Sequence, residues 1–313
     1  MKRLKGNLML LLTAFIWGTS FAAQRSGLEF VGPFTFNAIR CFIGGIVLLP
    51  VIYLLDKGKK RNRILPPAKK ENRELFAGGV LCGAVFFAAS SLQQVALVHT
   101  TAGKTGFINS LYVLFVPVLG LFLGKKVALK VWISVAAALV GLYFLCITEE
   151  LSVNVWDLVV LLSAVAYSVH ILVIDHYTAR VDGVKMACIQ YFVCGGLSLL
   201  PMLLLETLRP GELIPIWLQL IYAGAFSCGV AFTLQIVAQK YTEPAVASII
   251  LSVESVFALL GGFVLLGERL TMREWIGCAF MFAAIMLSQM PKKGANGKDQ
   301  PASSSARRDS TML

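Results

Sequence analysis

The sequence predicts an all-α membrane protein in which ten transmembrane helices form two inverted five-helix repeats. Three observations carry this expectation. Apolar residues make up 57% of the 313-residue chain and charged residues only 14%. They lie in blocks of about 18 or more, long enough to cross a bilayer. The basic residues crowd into alternate links between the blocks, and the two halves of the chain match at a nearly constant offset.

The ten blocks run over 7–24, 33–55, 75–97, 103–123, 130–148, 155–174, 184–205, 215–238, 245–266 and 271–290. The links are short and leave little chain for a soluble domain. The first five spans make a unit over 1–148 and the next five a unit over 149–290. The polar, Ser-rich stretch 291–313 is expected to be a disordered cytoplasmic tail. The opening stretch has the basic residues, apolar run and small residues (Ala22, Ala23) of a signal peptide. It is read as a retained first span because it has a counterpart later in the chain.

A net charge of +11 raises the question of a nucleic-acid partner. The placement of the charges argues against one. With the N-terminus in the cytoplasm and spans counted alternately, 22 of the 28 Lys and Arg residues fall on the cytoplasmic side. Four (Arg25, Arg209, Arg269 and Arg273) fall outside, and Arg40 and Lys104 lie within spans. Such a bias is the positive-inside signature of a multi-pass protein of the cell membrane with both termini cytoplasmic. The basic stretch Lys57–Arg73 is then a topology signal and a contact for anionic lipid, and it lacks the interleaved aromatics of an RNA site. All seven cysteines sit within spans without metal-ligand spacing, so neither a disulfide framework nor a metal is expected. No cofactor is expected, and nothing requires an oligomer.

Shifting the first two spans by 150 positions brings Asn7 onto Asp157, Ala14 onto Ala164, Trp17 onto Tyr167, Phe42 onto Phe192 and Gly45 onto Gly195. Shifting the fourth and fifth by 143 brings Ala102 onto Ala245, Leu123-Gly124 onto Leu266-Gly267 and Trp132 onto Trp275. Each half holds an odd number of spans, so the second half inserts upside down. Two halves related by an axis in the membrane plane can exchange conformations, which turns an outward cavity into an inward one. The pattern therefore points to a secondary transporter working by alternating access, with a small-molecule substrate and a proton as the candidate coupling ion.

Several segments resemble one known family. Leu266-Gly267-Glu268-Arg269-Leu270-Thr271 resembles the signature closing the ninth span in EamA-type members of the drug/metabolite transporter superfamily. Tyr241 to Ser248 and Leu251-Ser252-Val253-Glu254 resemble that family's eighth-to-ninth-span region. Trp17-Gly18-Thr19-Ser20-Phe21 resembles its first-span motif, and Arg40 its second-span arginine. The resemblance covers residues 5 to 290 and implies a ten-span carrier for amino acids, other metabolites or drugs, with export the expected direction. There are departures: Lys125 stands where the repeat would offer Glu, and Ser255 follows Glu254 where proline is usual. Small drug–proton exchangers of the superfamily use a first-span glutamate. Residues 7–24 hold no acid, which disfavours that mode.

Polar groups inside a bilayer are costly unless partnered or facing water, so those sharing one helical face are informative. Thr13, Trp17, Ser20 and Gln24 share a face of the first span. Ser163, Tyr167 and His170 do so on the sixth, Thr105, Asn109 and Tyr112 on the fourth, and Ser248, Ser252 and Ser255 on the ninth. Trp17, Ser20, Asn109, Tyr112, Tyr167, His170 and Ser252 are the expected substrate-binding set, since a pocket needs aromatic walls and a few polar groups. Lone hydroxyls also serve as glue between helices. Gln94 and Gln235, on the third and eighth spans, are the alternative wall. Glu254 falls near the middle of the ninth span, where an unpartnered carboxylate is costly to keep charged. It is read as a coupling or gating group, or as the static partner of Arg40 or Lys104. Those two cations are themselves gating candidates, and Arg40 has the fork that suits a carboxylate or phosphate.

Other classes fit less well. An intramembrane serine hydrolase would pair Ser20 with His170. At 1.5 Å per residue they differ in depth by roughly 14 Å, beyond hydrogen-bond reach. A channel or facilitated-diffusion pore would want charge rings or carbonyl filters, and neither shows.

Overall fold

The computed structural model describes residues 2–61, 69–100, 102–146, 155–207, 210–257 and 272–290. Several features read from the sequence lie outside these: the middle of the basic link, the Leu266–Thr271 motif and the tail after Met290. The described residues form α1 (Lys2–Gly27), α2 (Pro33–Arg61), α3 (Lys69–His99), α4 (Ala102–Ser110), α5 (Tyr112–Phe122), α6 (Leu129–Cys146), α7 (Val155–Thr178), α8 (Gly183–Leu205), α9 (Trp217–Ile221), α10 (Thr233–Ala238), α11 (Pro244–Leu251) and α12 (Met272–Gln289). A π-helical segment, Tyr222–Phe232, joins α9 to α10. Seven helical stretches are long and apolar enough to cross a membrane: Leu4–Gly27, Pro33–Gly58, Glu71–His99, Thr105–Phe122, Val155–Thr178, Gly183–Leu205 and Trp217–Ala238. Leu129–Phe144, Pro244–Phe257 and Trp275–Ser288 are shorter apolar helices.

Local chemistry sets the helix ends. Asp182 caps α8, its carboxylate accepting from Val184 N and Lys185 N, as an acidic N-cap should. Pro244 opens α11, where its missing N–H costs nothing. Gly124 ends α5 at φ +74°, a conformation a side chain would strain.

The sequence pattern suggests unbroken fourth, eighth and ninth spans, and the structure differs in each. The fourth divides at Leu111 (φ −63°, ψ −9°) and the ninth at Ser252 (φ −61°, ψ −12°). At both, backbone bonding tightens to i→i+3: Leu111 N donates to Ile108 O and Val253 N to Ile250 O. The eighth carries the π-wound segment. None of these breaks has a proline at the break itself, so no residue type announces it.

The most extensive packing joins α6 to α12, α2 to α8, and α3 to α7 and α8. α2 and α8 run antiparallel. The Phe192 ring lies where a Cβ on Gly45 would come within 3.0 Å, and the Phe42 ring lies where one on Gly195 would come within 3.1 Å. Each glycine thus admits the aromatic of the other helix. A second reciprocal contact joins other helices: Thr13 Oγ1 donates to Ala231 O (2.9 Å) and Ser163 Oγ to Ala89 O (2.8 Å).

Basic links gather at one end of the bundle. There Lys185 pairs with Asp56 (2.8 Å), Lys125 with Asp175, and Lys240 Nζ donates to Val181 O (2.9 Å). At the far end, Leu28, Val31, Phe36, Leu97, Ile216 and Leu220 pack into a buried cluster. Arg25 reaching Val98 O and a His99–Trp156 stack (3.9 Å) lie beside it.

Candidate functional site

A small cavity lies mid-bundle among α1, α2, α3, α4, α5, α7, the π-wound segment and the helical turn after α11. It is lined by Trp17, Phe21, Gln24, Arg40, Gln93, Asn109, Tyr112, Tyr167, Ser227, Phe232 and Glu254. Its volume of about 30 Å³ suits one or two waters and no metabolite. Asn109 and Tyr112 flank the break in the fourth span, and Glu254 follows the break in the ninth. Interrupted helices place backbone and side chains together at mid-bundle in this way.

The two formal charges of the cavity are held differently. Arg40 is 2% exposed; its Nη1 donates to Gln24 Oε1 (2.7 Å) and its Nε to Asn37 Oδ1 (3.0 Å). Asn37 is fixed in turn by Ser90 (3.1 Å) and Ser198 (3.0 Å), and Gln24 Oε1 also accepts from Gln94. This lattice of neutral amides and hydroxyls orients the guanidinium, and Arg40 Nη2 has no partner. Glu254 is likewise 2% exposed, and among the described residues it accepts long bonds from Tyr112 Oη (3.3 Å) and Ser110 Oγ (3.4 Å). The cation and the carboxylate share the cavity without pairing directly.

Two further polar atoms of lining residues, Trp17 Nε1 and Asn109 Oδ1, are buried without a hydrogen-bond partner. By contrast, Tyr167 Oη donates to Gln93 Oε1 (2.9 Å). The Phe232 ring packs against Trp17, tilted at 53° with centroids 4.4 Å apart, and completes the aromatic wall.

The structure brings Trp17, Asn109, Tyr112, Tyr167, Arg40 and Glu254 to one cavity. It does not bring Ser20, His170 and Ser252 to that lining. Ser20 accepts from Gln24 behind it (3.0 Å). His170 bonds Gln190 (2.9 Å) and packs on Phe86. Ser252 Oγ donates to Ile249 O within its own turn (2.9 Å). Lys104 lies in α4, and its side chain is outside the described part of the structure. Sequence reasoning missed Phe21, Gln93, Ser227 and Phe232. A glutamine deep in an apolar span was a usable signal for Gln93. An aromatic or serine in such a span is not.

A larger cavity of about 380 Å³ opens at the basic end, lined in part by Val116, Lys125, Lys126, Asp175, Gln239 and Lys240. It approaches the first closely. Tyr112 lines the inner cavity and Val116, one turn on, lines the vestibule. Tyr167 and Leu172 are divided in the same way. The septum is therefore about one helical turn, roughly 5 Å, thick. Among the described residues, no group of three His, Cys, Asp or Glu could hold a metal.

The EamA-like transporter family matches the chain over residues 4–147 and again over 154–290. An uncharacterized transporter of Archaeoglobus fulgidus is 31% identical over 287 residues, spanning 91% of this chain and 86% of that protein. The uncharacterized inner membrane transporter YedA of Escherichia coli (strain K12) is 24% identical over 281 residues, 88% of each chain. A solved crystal structure shares the fold, with TM-score 0.72 at 20% identity over 91% of this chain and 96% of that one.

Proposed function

Because the chain belongs to the EamA-like transporter family, we propose that it exports a small zwitterionic or anionic organic solute across the cell membrane by alternating access. In this reading the ten helical stretches are ten spans, the basic end and both termini are cytoplasmic, and 1–148 and 149–290 are inverted repeats. The double family match, the reciprocal Phe42/Gly195 and Phe192/Gly45 packing and the positive-inside charge pattern support it.

One observation carries the substrate reading. Trp17 Nε1, Arg40 Nη2 and Asn109 Oδ1 are buried without partners on the wall of one cavity, beside the Glu254 carboxylate. Each orphaned group costs about 1–3 kcal/mol, which a bound solute returns. The donors suit a carboxylate, and Asn109 with Glu254 suits an ammonium or hydroxyl. The cavity must widen to admit such a solute, and the thin septum towards the vestibule is the shortest route from the cytoplasm. A permanently open pore fits poorly with a cavity of about 30 Å³.

A thermal-shift screen of purified protein with amino acids, organic acids and lipophilic cations tests the substrate class. Amino or organic acids should stabilise the parent, and Arg40→Met should abolish the shift. Stabilisation by lipophilic cations alone, untouched by Arg40→Met, would overturn the assignment.

Glu254 is the group proposed to couple transport to protons. Glu254→Gln should keep solute binding and lose proton-driven accumulation in proteoliposomes. Accumulation with an unchanged pH profile would remove Glu254 from the cycle and leave facilitated diffusion as the better reading.

A further inference from the structure

The reciprocal contacts of the two halves extend to a bond that this conformation makes only once. Thr13 and Ser163, 150 positions apart, bond to the carbonyls of Ala231 and Ala89, 142 positions apart. The same two shifts relate Trp17 to Tyr167 and Gln235 to Gln93. Tyr167 Oη donates to Gln93 Oε1 at 2.9 Å. The matching donor and acceptor, Trp17 Nε1 and Gln235 Oε1, are both buried and both without a partner. Gln235 is 1% exposed. It stands three residues past Phe232, hence on the same helical face, and the Phe232 ring packs against Trp17 with centroids 4.4 Å apart. α1 and α10 are in contact. Gln235 therefore lies about one turn from the indole, on the vestibule side.

The two pairs also sit on opposite sides of the cavity. Gln93 is six residues from the far end of α3 and Gln235 three residues from the basic end of α10. The bond nearer the packed far-end cluster is made, and the one nearer the open vestibule is not.

We propose that Gln235 is a positioning residue of the transport cycle, which receives the Trp17 Nε1–H when the protein faces the far side and releases it in the present conformation. The Tyr167–Gln93 bond breaks as the Trp17–Gln235 bond forms. One buried polar pair is satisfied in each state, so exchanging them costs little net free energy, and each bond favours one facing state. Gln235 acts through Trp17, which it tilts towards the closing basic end. This inference rests on the alternating-access reading above.

The test uses the full chain in proteoliposomes, in a background with all seven cysteines replaced and one reporter cysteine restored. Leu97→Cys reports on the packed far-end cluster and Ala245→Cys on the vestibule. A membrane-impermeant maleimide is added from the matching side, and labelling rates are compared. Gln93→Met, which removes an acceptor at similar volume, should speed far-end labelling several-fold and slow vestibule labelling. Gln235→Met should do the reverse. Gln235→Glu, which keeps an acceptor for the indole N–H, should not shift labelling in the Gln235→Met direction, a distinction that loss of packing would not give. Trp17→Phe removes the same bond from its other side. It should reproduce Gln235→Met, and combining the two should add nothing further. It also provides the test should Gln235→Met fail to fold. If Gln93→Met moves both reporters and neither Gln235→Met nor Trp17→Phe does, the Gln235 assignment is wrong while alternating access stands. If no variant moves either reporter, neither bond biases the facing state and the proposal falls; if a stabilising solute also leaves both parent labelling rates unchanged, alternating access falls with it.

Discussion

α2 and α8 make one contact in their middle and two different ones at their ends. In the middle the chemistry is the same twice: a phenylalanine of each helix packs on a glycine of the other. At the ends, positions 150 apart trade roles. Asp182 caps α8 with its own carboxylate. Its counterpart Gly32 has no side chain to cap α2, and Glu206, from the other end of α8, does so instead, accepting from Phe34 N (2.8 Å) and Thr35 N (2.7 Å). A side chain at 32 would collide with that carboxylate. The counterpart of Glu206 is Asp56. It faces a helix already capped, so it pairs with the Lys185 side chain instead. Duplicated backbone geometry therefore does not require duplicated residues. Each helix start needs one acceptor, and it is satisfied from whichever side supplies it.

The middle contact should show the largest effect and the closest equality. Gly45→Val and Gly195→Val each push a branched side chain into an aromatic ring, at a cost of about 1–3 kcal/mol. The two losses, read as thermal unfolding in detergent, should agree closely. Phe192→Ala should rescue Gly45→Val, and Phe42→Ala should rescue Gly195→Val. A severe loss at one glycine and none at the other would show that the reciprocity is geometric but not energetic.

The match of Phe42 with Phe192 and of Gly45 with Gly195 was legible beforehand, because the types recur at the shifted positions, whereas the packing of each ring on the other helix's glycine was not. The apolar blocks likewise marked the helices, since a bilayer leaves few other solutions for such runs. The site was legible only in part. Trp17, Asn109, Tyr112 and Tyr167 stood out as polar or amphipathic groups on regular faces, and Arg40 and Glu254 as buried charges. Phe21 and Phe232 did not, because in an apolar span a cavity wall and a packed core use the same residues. Ser227 and Phe232 are further hidden by the π-wound Tyr222–Phe232 segment. Its i→i+5 bonding shifts side chains off the faces that a 3.6-residue period assigns. The capping exchange was illegible for another reason. It depends on Gly32 lacking a side chain and on Glu206 being 171 to 172 residues from the amides it bonds.

The ends of α2 and α8 offer the smaller and more discriminating test. Glu206→Ala leaves two first-turn amides of α2 without their acceptor and takes a negative charge from a helix N-terminus, at a cost of about 1–2 kcal/mol. Glu206→Gln keeps one acceptor oxygen and should lose less. Asp56→Asn removes an ion pair whose side chains are 37% and 28% exposed, and such pairs contribute about 0–1 kcal/mol before salt screening. Unfolding in low and high salt separates the two kinds of bond. The Asp56→Asn loss should fade as salt rises, because screening already weakens the parent pair. The Glu206→Ala loss should persist, because what it removes is a set of hydrogen bonds to a helix start. Grafting an acceptor onto α2 itself, with Gly32→Asp in the Glu206→Ala background, copies the α8 solution and should recover much of the loss. In the parent background the same Gly32→Asp change should destabilise, since its side chain would meet Glu206. A Gly32→Asp effect of the same sign in both backgrounds would mean that Glu206 is not the cap of α2, and the exchange of roles between the two ends would have to be given up.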